Sequence, residues 1–202
     1  MITAYLWGTP NGYKVAIALE EMGVDYEITW VNIGAGAQHA PEYLKISPNG
    51  KIPAIVDHET GISLMESGAI LQYLSEKTGR FGGVTPQDRW AVTQWLHWQM
   101  GGLGPMMGQS NHFRGLNVKV PYAETRYKNE TARLFGVLET QLDGRDYIAG
   151  DYSIADMAAV AWAGMAPMME DARLTACNNV MGWIERNVSR PATARAIALS
   201  PG

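Results

Sequence analysis

Reactive sulfur is nearly missing from this chain, whose 202 residues hold one cysteine, Cys177. A lone cysteine closes no internal disulfide, which excludes a small secreted module stapled by bridges. Charge is also sparse. Charged residues make up 18% and hydrophobic ones 47%, against roughly 25% charged in ordinary soluble chains, so the composition excludes disorder. The net charge is −4 with no basic block, which argues against nucleic acid as a partner. Long apolar runs are absent too. The longest uncharged one, Met157 to Met169, contains Pro167 and falls short of the roughly 18 residues of a membrane span. The first basic residue, Lys14, follows an apolar stretch instead of preceding it, so no secretory signal is read and the expected location is cytoplasmic. His112 has no metal-ligating partner at helical spacing, so no metal is expected.

What the chain does hold is unevenly spread. The first 80 residues carry 5 Lys/Arg against 9 Asp/Glu, the remainder 11 of each. Five of seven Trp and eight of eleven Met lie in the second part. Phe81-Gly82-Gly83-Val84-Thr85-Pro86 has the glycines and proline of a short connector. The expected division is therefore a first domain at 1–80, a linker at 81–85 and a second domain at 86–202.

The first domain alternates strand and helix signals. Ile2, Ala4 and Leu6 have a period of two; Val15, Ala18, Leu19 and Met22 a helical period closed by Gly23. Tyr26, Ile28 and Trp30 form a second strand. Ile52 to Val56 and Ile62 to Met65 flank the Glu59-Thr60-Gly61 turn, and Ile70, Tyr73 and Leu74 return to helix before Gly79. A helix between the first two strands demands a parallel crossover, while the last two can form a hairpin. This predicts an α/β domain with a four-stranded mixed sheet. The second domain reads as all-α. Ser153-Ile154-Ala155-Asp156 is a capping box ahead of an apolar helix.

Four short segments carry chemistry. Thr9-Pro10-Asn11-Gly12 opens the first helix, where free amides and the dipole favour an anion such as a thiolate; capping alone is the plainer reading. Asn49-Gly50-Lys51-Ile52-Pro53 sets a proline at a strand start. A cis Ile52-Pro53 bond there would present the Ile52 backbone to an extended peptide, whereas trans is the commoner state. Glu66-Ser67 opens the last helix of the domain, with Ser67 as a natural N-cap. Met100 to Phe113 interrupts a helical pattern with Gly101, Gly102, Gly104, Pro105 and Gly108, which suits either a pocket wall or close helix packing.

Together these motifs resemble the cytosolic glutathione transferases: a thioredoxin-like N-terminal domain, then an all-helical one. Thr9-Pro10-Asn11-Gly12, Gln38, Ser47-Pro48-Asn49, Lys51-Ile52-Pro53, Glu66-Ser67-Gly68-Ala69-Ile70 and Gly101-Gly102-Leu103-Gly104-Pro105-Met106 look like the nu class. These are bacterial glutathione-dependent disulfide-bond oxidoreductases, similar to the corresponding domain of a yeast nitrogen regulator. A glutaredoxin relative would carry Cys-Pro-x-Cys where this chain has Thr9-Pro10-Asn11-Gly12, so any sulfur at that site must come from glutathione.

The resemblance implies the following roles. Thr9 and Asn11 orient the glutathione thiolate or a disulfide sulfur, and the Ile52 backbone beside Pro53 pairs with the tripeptide's central residue. Glu66 and Ser67 hold the γ-glutamyl ammonium and carboxylate. Gln38 and Lys51 reach the glycyl carboxylate, and Arg126 grips a glutathione carboxylate. Met106, Gln109, His112 and Phe113 are candidates for a pocket wall. Tyr5 and Tyr13, the nearest tyrosines, read as structural. The implied activity is glutathione-dependent reduction of small disulfides, with side transferase or peroxidase activity. Glutathione, reduced or as its disulfide, is the co-substrate, and the protein is expected to be a homodimer with no nucleic-acid or membrane partner. Conjugation of glutathione to electrophiles is the alternative chemistry; a non-catalytic glutathione-binding regulator is the alternative outside enzymes.

Overall fold

Strand β1 (Ile2–Leu6) runs into helix α1 (Pro10–Met22), and strand β2 (Tyr26–Trp30) follows, in a computed structural model that describes residues 1–201. Helix α2 (Pro41–Ile46), strands β3 (Ala54–Asp57) and β4 (Ile62–Met65) and helix α3 (Ser67–Thr78) complete the first part. The sheet order is β2-β1-β3-β4. β1 pairs with β2 in parallel and with β3 antiparallel; β3 and β4 are antiparallel. The helical crossover and the hairpin therefore form as the periodicities predict. β3 starts at Ala54 instead of Ile52, because Pro53 has no N–H to offer a ladder.

α1 turns its apolar face to the sheet and to α3, burying Val15, Ile17, Ala18 and Leu19 completely. Gly23 ends it in the left-handed conformation, with φ 66°.

The remaining elements are helical. They are α4 (Pro86–Trp98), a π-helical turn at Gln99–Leu103, α5 (Gly104–Gly115), α6 (Pro121–Gln141), α7 (Ile154–Ala163), α8 (Ala172–Thr175), α9 (Asn178–Val188) and α10 (Pro191–Ala198). α7 is buried almost throughout. Its capping box forms: the Asp156 carboxylate accepts from the Ser153 amide at 3.0 Å and Ser153 Oγ accepts from the Asp156 amide, and Ser153 Oγ also accepts from the Ala155 amide at 3.3 Å. Asp156 also accepts from the Trp183 indole at 2.9 Å and the Ile148 amide at 3.0 Å.

The chain forms two compact units, residues 1–80 with 189 onward, and Phe81–Val188. Two details correct the division drawn from sequence. The expected linker is built into the helical unit: the Phe81 carbonyl accepts from the Ile154 amide at 3.1 Å, and its ring meets Tyr152 edge-on at 5.6 Å. The tail assigned to the helical domain packs on α1 instead. Arg190 donates twice to Glu21, at 2.7 and 2.8 Å, and Arg195 donates to Glu20 at 2.7 Å. Those partners lie some 170 positions apart, beyond the reach of any local pattern.

Candidate active site

Three segments of the first unit line one open cavity of about 150 Å³. Asn11 comes from α1, Lys51, Ile52 and Pro53 from the loop ahead of β3, and Glu66 and Ser67 from the start of α3. Two helix N-termini thus open toward the same space. Neither carries an acidic residue in its first turn; the positive end of α1 is uncompensated and suits an anion, while that of α3 stands beside the carboxylate of Glu66.

Thr9 is the N-cap of α1, with extended backbone, and Pro10 takes the first helical position, where a missing N–H costs nothing. Thr9 Oγ1 accepts from the Gly12 amide at 3.5 Å, which leaves the hydroxyl proton available to another acceptor. Gly12 has no room for a side chain. A Cβ there would run into the Trp7 carbonyl oxygen, with the Trp7 carbonyl carbon 3.3 Å away.

At α3 the structure differs from the sequence reading, which makes Ser67 the N-cap. Glu66 holds that place, with φ 71° and ψ 112°, and Ser67 is the first helical residue, buried. Such a φ is uncommon for a residue with a side chain. It turns the chain from β4 into α3 within one residue and leaves Glu66 exposed at the cavity.

The Ile52-Pro53 peptide bond is cis. Ile52 stands outside the ladder, which begins at Ala54. The Lys51 carbonyl before it accepts two hydroxyls, Tyr43 at 2.7 Å and Ser47 at 2.9 Å. Tyr43 packs in a small apolar cluster with Val31 and Ala54, against which Tyr5 and Ile52 lie. Tyr5 meets the Tyr43 ring at 5.8 Å, in the structural role read for it.

Not every candidate reaches this cavity. Thr9 stands two residues before Asn11 at the same helix end without lining it. Gln38 sits in a 3-10 turn, its amide nitrogen 3.2 Å from the His39 ring and its buried Oε1 without a hydrogen-bond partner among the described residues. Its carbonyl oxygen comes within 3.6 Å of where a Cβ on Gly50 would stand, so it neighbours the Lys51 loop. In the helical unit, Arg126 and Met106 line a separate cavity of about 770 Å³ with Tyr122 and Arg133. The rest of the expected pocket wall does not line it, although Tyr127, against which Phe113 lies, does. Phe113 stacks on Tyr127 at 5.4 Å, and Gln109 and His112 are exposed. The glycines there serve packing: a Cβ on Gly108 would stand 3.1 Å from the Trp162 ring, and one on Gly104 3.1 Å from its indole nitrogen. Among the described residues no group of three or more His, Cys, Asp or Glu could hold a metal, and no helix is long and apolar enough to cross a membrane.

Sequence reasoning missed Lys14. It lies one turn after Asn11 and is 2% exposed. Burial pushes its ammonium down to about 7, opposed by the negative charge of Glu66. Its signal was a charge among apolar helical neighbours: Ile17 and Ala18 fall on its own face.

A four-stranded sheet of this order, with a cis-proline ahead of β3 and a helical unit following, defines a thioredoxin-like domain joined to an all-α one. The glutathione S-transferase N-terminal domain model matches residues 2–76, and the C-terminal domain model matches residues 112–191. The chain belongs to the glutathione S-transferase family. It is 47% identical to the disulfide-bond oxidoreductase YfcG of Escherichia coli, over 98% of this chain and 94% of that protein. Two solved structures are similar throughout. One is a glutathione transferase from Pseudomonas putida with one glutathione disulfide bound per subunit (TM-score 0.94, 39% identity, 100% of this chain and 92% of that one). The other is a family member from Pseudomonas fluorescens with two glutathione bound (TM-score 0.92, 39% identity, 97% and 92%).

Proposed function

We propose that this protein is a glutathione-dependent disulfide-bond reductase that works with the ligand's sulfur and none of its own. The observation that carries the reading is the end of α1: Thr9 and Asn11 stand at a helix N-terminus whose fourth motif position, Gly12, has no room for a cysteine side chain. The one thiol, Cys177, belongs to the helical unit, donates to the Arg173 carbonyl at 3.4 Å, and has its pKa raised by burial. It lacks the electropositive setting of a reactive thiolate. The similarity to a disulfide-bond oxidoreductase over nearly the full length of both chains supports the same reading.

In the proposed reaction glutathione binds as an extended peptide along the Ile52 backbone. Its γ-glutamyl carboxylate meets Ser67 at the positive end of α3, its ammonium meets Glu66, and Lys51 with Gln38 faces the glycyl carboxylate. The Thr9 hydroxyl and the α1 amides stabilise the thiolate. That thiolate attacks one sulfur of a substrate disulfide, the S–S bond breaks, and the departing sulfur leaves as a thiolate that takes a proton from water. A second glutathione attacks the mixed disulfide, which yields glutathione disulfide and the second substrate thiol. The Arg126 cavity is proposed to accept a glutathione carboxylate. Family membership supports a homodimer, and dependence on reduced glutathione suits the cytoplasm.

A side-by-side assay tests the function. The protein should speed reduction of a small model disulfide by glutathione well above its rate of conjugating an aryl halide. Thr9→Ala with Asn11→Ala should abolish most of that reduction. Dominant conjugation would make it a transferase; tight glutathione binding without turnover would make it a regulator.

A further inference from the structure

The carbonyl of Lys51 is held from two sides. Tyr43 Oη donates to it at 2.7 Å and Ser47 Oγ at 2.9 Å, so both oxygen lone pairs are engaged. The donors are themselves buried: Tyr43 is 6% exposed and Ser47 fully buried. One lies within α2 and the other caps its C-terminus, so a single helix supplies both. Burial pushes the Tyr43 phenol up to about 12, with the Ser47 hydroxyl acting in the opposite direction. It therefore stays a protonated donor at any working pH.

This arrangement fixes more than an oxygen. The cis bond is at Ile52-Pro53 and the preceding Lys51-Ile52 peptide is trans. A trans peptide is planar, with its N–H directed opposite to its C=O. Pinning the Lys51 oxygen onto α2 therefore aims the Ile52 N–H away from α2, and Ile52 lines the cavity outside the β3 ladder. Without the two hydroxyls, the Gly50-Lys51 segment would be free to rotate that peptide, since Gly50 carries φ 61° and tolerates a wide range.

We infer that Tyr43 and Ser47 are positioning residues for glutathione: a two-hydroxyl clamp that presets the Ile52 N–H as the donor an extended tripeptide meets. This rests on the reading that the tripeptide pairs with the Ile52 backbone. Tyr43 stands outside the cavity, and Ser47, at its wall, gives its hydroxyl to the Lys51 carbonyl; neither takes part in thiol–disulfide exchange, so the clamp's effect falls on binding. Its benefit is preorganisation, because the ligand need not order the loop as it arrives.

Tyr43→Phe, Ser47→Ala and the double variant test it, alongside Ser67→Ala as a control at the other end of the site. The measurements are KM for glutathione and kcat in model-disulfide reduction, the Kd for glutathione by calorimetry, and the urea midpoint. Each single variant should raise KM and Kd roughly 3- to 10-fold and leave kcat within about twofold; Ser47→Thr, which restores a hydroxyl, should recover binding. If Ser67→Ala weakens binding while the folded Tyr43→Phe and Ser47→Ala proteins bind as the parent does, the clamp is wrong and the site stands. If none of the three moves the Kd, the site assignment falls and the clamp with it. A lower urea midpoint with unchanged KM would mark the hydroxyls as merely structural, and that also overturns the proposal. Should the double variant fail to fold, the single variants decide.

Discussion

Gly12 lies against the Trp7 carbonyl, with backbone and not a movable side chain as the obstacle: the Trp7 nitrogen and carbonyl carbon would be 3.4 and 3.3 Å from a Cβ, and the oxygen nearer still. The position that holds the second cysteine in a Cys-Pro-x-Cys relative is closed here by geometry as well as by sequence. Gly12→Ala gains helix propensity of about 1 kcal/mol but forces α1 off the strand end. Overpacking of this kind costs roughly 1–3 kcal/mol, so the net should be a loss. Urea denaturation should show a lower midpoint, and disulfide reduction should fall at least tenfold. A variant more stable than the parent would contradict the close approach.

Ser67 and Glu66 separate binding from chemistry. Ser67→Ala removes a hydroxyl at the positive end of α3, and Glu66→Gln removes the carboxylate proposed for the ammonium. Both should raise KM for glutathione about tenfold or more, as loss of a hydrogen bond to a charged group does, with smaller effects on kcat. Steady-state kinetics with varied glutathione reads the split directly.

Lys14 should make stability depend on pH in a defined window. Its pKa is about 7 when folded, against 10.5 for an unburied lysine. Between those values the unfolded chain holds the proton and the folded chain does not, so stability from this group rises with pH. Below pH 7 both states are charged and the burial penalty is fully present. Lys14→Met removes the penalty, so its stability relative to the parent should be higher at pH 6 and should fall by a few kcal/mol toward pH 10. A difference that stays flat in urea titrations at the two pH values would refute the assignment.

Asp156 holds the helical unit through the Ser153 and Ile148 amides and the Trp183 indole. Asp156→Ala orphans four buried donors at once, the Ser153 hydroxyl being the fourth. The expected loss is roughly 3 kcal/mol or more, seen as a fall in urea midpoint at unchanged slope. Ser153→Ala, which removes one cap, should cost about 1 kcal/mol.

The glycines of α5 and the turn before it should divide by surroundings. Gly101 has nothing within 4 Å of an added Cβ, so Gly101→Ala should stabilise by up to about 1 kcal/mol. Gly108→Ala meets the Trp162 ring at 3.1 Å and should gain less, or lose. Thermal denaturation of the two variants, compared side by side, gives the order.

The sequence alone determined the local elements, because strand and helix periods are written in neighbouring residues. The β1-α1-β2 crossover, the hairpin and the Ser153–Asp156 capping box were legible in this way. Asn11, Lys51, Ile52, Pro53, Glu66 and Ser67, singled out from short sequence motifs, line one cavity. Tertiary structure alone decided what depends on distant partners or on backbone torsion. It set Glu66 and not Ser67 at the cap, closed Gly12 against Trp7, and drew the tail onto Glu20 and Glu21. It left Gln109 and His112 exposed and set Phe113 against Tyr127, which lines the cavity that Met106 shares with Arg126. It also buried Lys14 and brought two hydroxyls onto one carbonyl. Periodicity records which face of an element is apolar; what that face meets is decided only when the whole chain packs.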